Sequence, residues 1–105
     1  MKRVLLDHCV PRPFGKMLAG HAVETAAERG WSALENGELL AAAEGAGFEV
    51  LLTADKNLRY QQNLTARRIA ILELPTNRLR LVQNCLPAVE TALAQIHAGD
   101  YVQIS

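Results

Sequence analysis

No apolar run in this chain approaches the roughly 20 residues that a membrane-spanning helix needs. Its hydrophobic residues come instead in short bursts, such as Val4-Leu5-Leu6 and Val50-Leu51-Leu52. The opening Met1-Lys2-Arg3-Val4-Leu5-Leu6 meets an acid at Asp7, too early for a secretory signal. Cysteine is limited to Cys9 and Cys85, with no second Cys at metal-finger spacing. That excludes a disulfide scaffold and leads us to expect reduced thiols in a cytoplasmic protein. Net charge is absent as well, with 11 basic and 11 acidic residues, so composition alone does not announce a nucleic-acid binder. Repeats, low-complexity tracts and linkers are missing. What remains is an ordinary globular mix in 105 residues, the size of one core and one domain over 1–105.

The zero balance hides an uneven distribution. Residues 21–55 hold seven acids (Glu24, Glu28, Glu35, Glu38, Glu44, Glu49, Asp55) against one base, Arg29. Residues 56–80 hold six bases (Lys56, Arg59, Arg67, Arg68, Arg78, Arg80) against one acid, Glu73. Such a split suggests an acidic and a basic side, or simply two solvated faces.

Periodicity gives the elements. Arg3–Leu6 reads as a buried strand ending at Asp7. Pro11 and Pro13 permit a helix to begin, over about 12–19, with Gly20 as its stop. Residues 21–25 suit a short second strand, and 26–34 a loop. Asn36 reads as the N-cap of a helix closed by Gly47, with Leu39, Leu40, Ala43 and Ala46 on one stripe. Phe48–Thr53 and Ile69–Leu74 are nearly all apolar, as strands buried on both faces are. A short helix is expected over 58–66. A helical period runs from about 78 to 98, with a kink near 84–86 caused by Pro87 and a cap at Gly99. Residues 101–104 close the chain as a strand. Alternation of this kind predicts an α/β fold with a mostly parallel five-stranded sheet and helices on both faces.

In such sheets ligands bind beyond the carboxyl ends of the strands, where the strand order reverses. Asp7 and Asp55 each follow a buried strand. Two carboxylates meeting there would repel unless a cation lay between them. Oxygen donors of this type suit Mg²⁺ or Mn²⁺, which can activate water and neutralise charge on a phosphodiester. The plainer alternative is that Asp7 caps the first helix and Asp55 makes a turn.

Leu5-Leu6-Asp7-x-x-x-Pro11, Gly20-His21-x-Val23, Asn36-x-Glu38-Leu39-Leu40 with Ala43, and Val50-Leu51-Leu52-Thr53-x-Asp55 together resemble a small PIN-like family of bacterial proteins of unknown function. That family neighbours the PIN-domain ribonuclease toxins and the Mut7-C domain. The resemblance spans the whole chain and implies a three-layer sandwich and Mg²⁺- or Mn²⁺-dependent cleavage of RNA by acids clustered at the strand ends. Asp7 matches the first acid and Asp55 the acid after the third strand; these are the expected catalytic residues. Asn36 and Asn57 stand where the family usually has Asp, and His8 and Cys9 where it has an acid and an amide. The implied metal set is then Asp7, Asp55, Asn36 and Asn57, a weakened site, with Glu38 and His8 as auxiliary groups. The neighbouring toxins imply an antitoxin-type protein partner, and a homodimer is compatible with this reading.

Lys56, Arg59, Arg67 and Arg68 follow Asp55 and would suit RNA phosphates if they lined the cleft. His21 reads as structural, His97 as a helix-end cation, and Trp31 as core cover. Two rivals fit the same topology. One is a non-catalytic PIN-like module that binds RNA or a protein. The other is a receiver-like phosphoacceptor domain, with Asp55 as acceptor and Thr76 as switch, although no Lys follows Lys56.

Overall fold

The computed structural model describes residues 2–56 and 67–104. Strand β1 (Arg3–Leu6) leads to a one-turn helix α1 (Arg12–Lys16) and strand β2 (Ala22–Thr25). Helix α2 (Asn36–Gly45) and strands β3 (Val50–Thr53) and β4 (Ala70–Glu73) follow. Helix α3 (Leu79–Val82) runs through a 3₁₀ turn (Gln83–Cys85) into α4 (Leu86–Gln95), and β5 (Tyr101–Gln103) comes last. The helix expected over 58–66 lies outside the described residues.

All five strands are parallel, in the order β2-β1-β3-β4-β5. The order reverses between β1 and β3. β3 and β4 are buried along their whole length, as their apolar sequences require of central parallel strands. Side-chain alternation divides the core in two. Val4, Leu6, Val50, Leu52, Ala70 and Leu72 pack with Phe14 and Leu18 from around α1, Val82 of α3, and Val89 and Leu93 of α4. Leu5, Leu51 and Ile71 pack with Leu39, Leu40 and Ala43 of α2 and with Phe48.

Several boundaries differ from the sequence expectation, for local reasons. Helix α1 stops at Lys16 instead of about 19, because the chain tightens into three-residue turns. Met17 N–H donates to Phe14 O, Leu18 to Gly15 and His21 to Leu18. These turns deliver Ala22 to Lys2, whose carbonyl it meets at 3.0 Å. The N-cap of α2 is Glu35, not Asn36. The Glu35 amide donates to Glu38 Oε1 at 3.4 Å, so Glu38 serves this helix end. The break at Pro87 falls where expected, at the start of α4, where its missing N–H costs nothing. Gly99 is not a helix cap: at φ +86° it turns the chain into β5, and its amide reaches Ile69 O at 3.1 Å.

The acid-rich and base-rich stretches touch at one point, where Arg67 Nη1 lies 3.2 Å from Glu44 Oε1 on α2. Trp31 covers the core as expected, edge-on to Phe48 at 6.2 Å and beneath the Arg29 guanidinium at 5.0 Å.

Candidate strand-end site

β1 and β3 run side by side, Leu6 opposite Leu52, so their carboxyl ends deliver Asp7 and Thr53 to the same point. The Asp7 amide extends the ladder by one bond, donating to Leu52 O at 2.9 Å. Its side chain is only 7% exposed, and both carboxylate oxygens are engaged. Oδ1 accepts from the His8 amide at 2.7 Å and Oδ2 from the Thr53 hydroxyl at 2.8 Å. The same hydroxyl accepts from the Asp55 amide at 3.0 Å. One Thr oxygen thus ties the Asp7 carboxylate to the turn that carries Asp55, which is itself half-buried.

The chain after Asp7 is a tight turn instead of the extended segment expected, with the Val10 amide donating to Asp7 O at 3.0 Å. The two residues that follow Asp7 still face opposite ways. Cys9 turns inward against the core, and its sulfur accepts from the Ala54 amide at 3.3 Å. Burial pushes its thiol above the ordinary range, and the Asp7 charge adds to the effect, so at neutral pH Cys9 stays protonated and weakly nucleophilic. His8 turns outward, with Nε2 3.2 Å from Leu34 O and 3.7 Å from Asp7 Oδ1.

A second buried carboxylate stands on the same rim. Glu73, opposite Thr53 in the ladder, accepts from the Tyr101 hydroxyl at 2.5 Å and from Gln103 Nε2 at 3.1 Å. Lys56 Nζ lies 4.0 Å from its Oε2. Sequence reasoning missed both Thr53 and Glu73 as site residues. The signal for Glu73 was present: one acid inside an apolar strand has to be paired.

The rim opens into a cleft of about 660 Å³ between the ends of β1 and β2, lined by Asp7, His8, Val10, Arg12, Ala26 and Ser32 among others. A smaller pocket of about 300 Å³ adjoins it between α1 and β2 and shares Leu6, Arg12, Thr25 and Glu28. His21 lines that pocket while holding the fold: its Nδ1 accepts the Lys2 amide at 3.0 Å.

The basic residues expected beside the site separate. Lys56 reaches the carboxyl rim. Arg67 and Arg68 precede β4 and stand at the opposite, amino rim, where Arg68 lines a pocket with Lys2, Glu49 and His97. There Arg67 pairs with Glu44, and the Arg68 amide donates to Glu44 Oε2. These bonds, the Arg68 amide first, hold the Glu44 carboxyl below its ordinary range. Asn57 and Arg59 lie outside the described residues, as does the side chain of Asn36.

A divalent ion needs carboxylate oxygens with free lone pairs converging on one point. Asp7 instead faces three internal donors, the His8 amide, the Thr53 hydroxyl and, at 3.9 Å, the Cys9 thiol, and Glu73 two donors and a lysine. Among the described residues, no three His, Cys, Asp or Glu side chains are grouped so as to hold a metal. These residues do not fit a tight Mg²⁺ or Mn²⁺ centre. Among them, too, no helix is long and apolar enough to cross a membrane. No family model, curated protein or solved structure matches this chain.

Proposed function

We propose that this chain is a cytoplasmic PIN-like module that binds RNA without cleaving it. One observation carries the reading: the carboxylate at the end of β1 is spent on internal hydrogen bonds. A carboxylate that accepts N–H and O–H donors in a buried setting has its charge offset by them. A metal ion placed there would compete with the Thr53 hydroxyl at Oδ2 and with the His8 amide at Oδ1. Asp7 acts as a latch between β1 and β3, and the rim around it presents polar groups to a ligand. RNA is the partner we favour because cations line the groove beside the latch, and phosphate contacts dominate affinity for nucleic acids.

Calorimetry with Mn²⁺ and a cleavage assay on labelled single-stranded RNA test this together. The expected result is RNA binding at low salt, with no Mn²⁺ heat and no cleavage. Mn²⁺ binding that disappears in Asp7→Asn, accompanied by RNA cleavage in the wild type, would instead establish a metal-dependent ribonuclease.

A further inference from the structure

The 300 Å³ pocket between α1 and β2 gathers three nitrogen-bearing side chains, Arg12, Lys16 and His21, over a floor formed by Leu6 and Val23. Its shape is set by close packing. At Gly15 a Cβ would lie 2.7 Å from Leu6 Cδ1 and 3.1 Å from Val23 Cγ1, so only glycine lets α1 approach the sheet here. The imidazole has a defined role. Because Nδ1 accepts the Lys2 amide, a neutral His21 carries its proton on Nε2 and is a hydrogen-bond donor there.

One acid shares the pocket. Glu28 is drawn aside by Thr25, whose amide donates to Glu28 Oε1 at 3.3 Å, while the Glu28 amide donates to Thr25 Oγ1 at 3.0 Å. Its contact with Arg12 is loose, 3.9 Å between two largely solvated groups, a separation at which an ion pair contributes little. Arg12 is therefore free to turn toward an incoming anion. Arg12 and Lys16 outweigh Glu28, and a guanidinium with a neighbouring ammonium and an imidazole N–H matches the oxygens of a phosphate.

The adjoining cleft completes the argument. It continues from Arg12 over apolar walls, including Val10, Pro11, Ala26 and Ala27, to polar Asp7, His8 and Ser32. Its 660 Å³ lies within the range of small-molecule sites. We infer that the pocket formed by Arg12, Lys16 and His21 is a phosphate subsite, and that the adjoining cleft receives the nucleoside carried by that phosphate. This rests on the RNA-binding reading for the source of the phosphate, an RNA strand; a free mononucleotide would present the same chemistry.

Titrations with adenosine 5′-monophosphate, inorganic phosphate and a labelled oligouridine test the subsite, read by amide chemical shifts and fluorescence anisotropy. Wild type should show phosphate-induced shifts at Gly15, Lys16 and His21. Arg12→Ala with Lys16→Ala should weaken both AMP and oligouridine at least tenfold and flatten the salt slope for RNA by one to two contacts. His21→Asn retains an acceptor for the Lys2 amide but loses the Nε2 donor, and should weaken both ligands about threefold. Arg80→Ala, which removes one exposed charge outside the groove, should change neither. Oligouridine bound equally by wild type and the Arg12/Lys16 variant overturns the subsite and leaves RNA binding standing. AMP and phosphate bound in the groove without any RNA binding overturns the RNA reading and keeps the subsite. A wild type that binds none of the three overturns both.

Discussion

Asp7 shows what a single charged side chain can do at the end of a buried strand. Stranded without partners it would be strongly destabilising, yet donors from its own chain and from β3 meet it. The consequence for stability is asymmetric. Asp7→Ala leaves the buried Thr53 hydroxyl and the part-buried His8 amide without their acceptor, at about 1–3 kcal/mol for a buried donor left unpaired. We expect urea unfolding to show a loss of at least ~2 kcal/mol, or a drop of roughly 10 °C in melting temperature for a domain this size. Thr53→Val should cost less, about 1 kcal/mol, since it deletes one donor while also freeing the Asp55 amide. An Asp7→Ala variant as stable as wild type would show that the latch holds nothing.

At the scale of elements, helix α1 is held by shape more than by length, since five residues cannot persist alone. Gly15 is where that shape is tightest. Gly15→Ala should destabilise by about 1–3 kcal/mol through overpacking against Leu6 and Val23, and the pocket beside it should lose AMP affinity in parallel. Gly20→Ala, with open space around its Cβ, should cost well under half as much; equal losses would mean that packing at α1 is loose. Elements were also what the sequence disclosed best. The strands at Val4, Val50 and Ile71 were legible because apolar runs bounded by Asp7, Gly47 and Pro75 have few other homes. The placement of Asp7 and Asp55 followed from the same pattern. Arg67 and Arg68 misled because they are near Asp55 in sequence. In a parallel sheet the chain leaving β3 must travel back the length of a strand before entering β4, so residues 67–68 had to arrive at the far rim. Glu73 was overlooked for a different reason: its partners Tyr101 and Gln103 are about thirty residues away and come from a strand whose register no local pattern reveals.

The molecule as a whole is a sheet whose two rims have opposite characters. The amino rim is tied by charge: Glu44 meets Arg67 and the Arg68 amide and so joins α2 to the approach of β4. Because its carboxyl titrates lower in the folded than in the unfolded chain, the stability it adds is complete above the ordinary glutamate range and fades as pH falls through its lowered value. Acid titrations of wild type and Glu44→Gln should therefore converge at low pH and separate toward neutrality, with wild type the more stable. Curves that stay parallel would remove Glu44 from the account. The carboxyl rim is built otherwise. Its side chains that hold the sheet, Asp7, Thr53 and Glu73, point into the fold, whereas Arg12, Lys16, Glu28 and Ser32 are exposed beside them. The structural work and the surface chemistry of this rim are thus assigned to different positions. A lineage could replace every exposed residue around the groove and alter what it grips, while the strands beneath stayed in register. The same separation makes the chain a candidate display scaffold, with positions 8, 12, 16, 28 and 32 open to randomisation and selection.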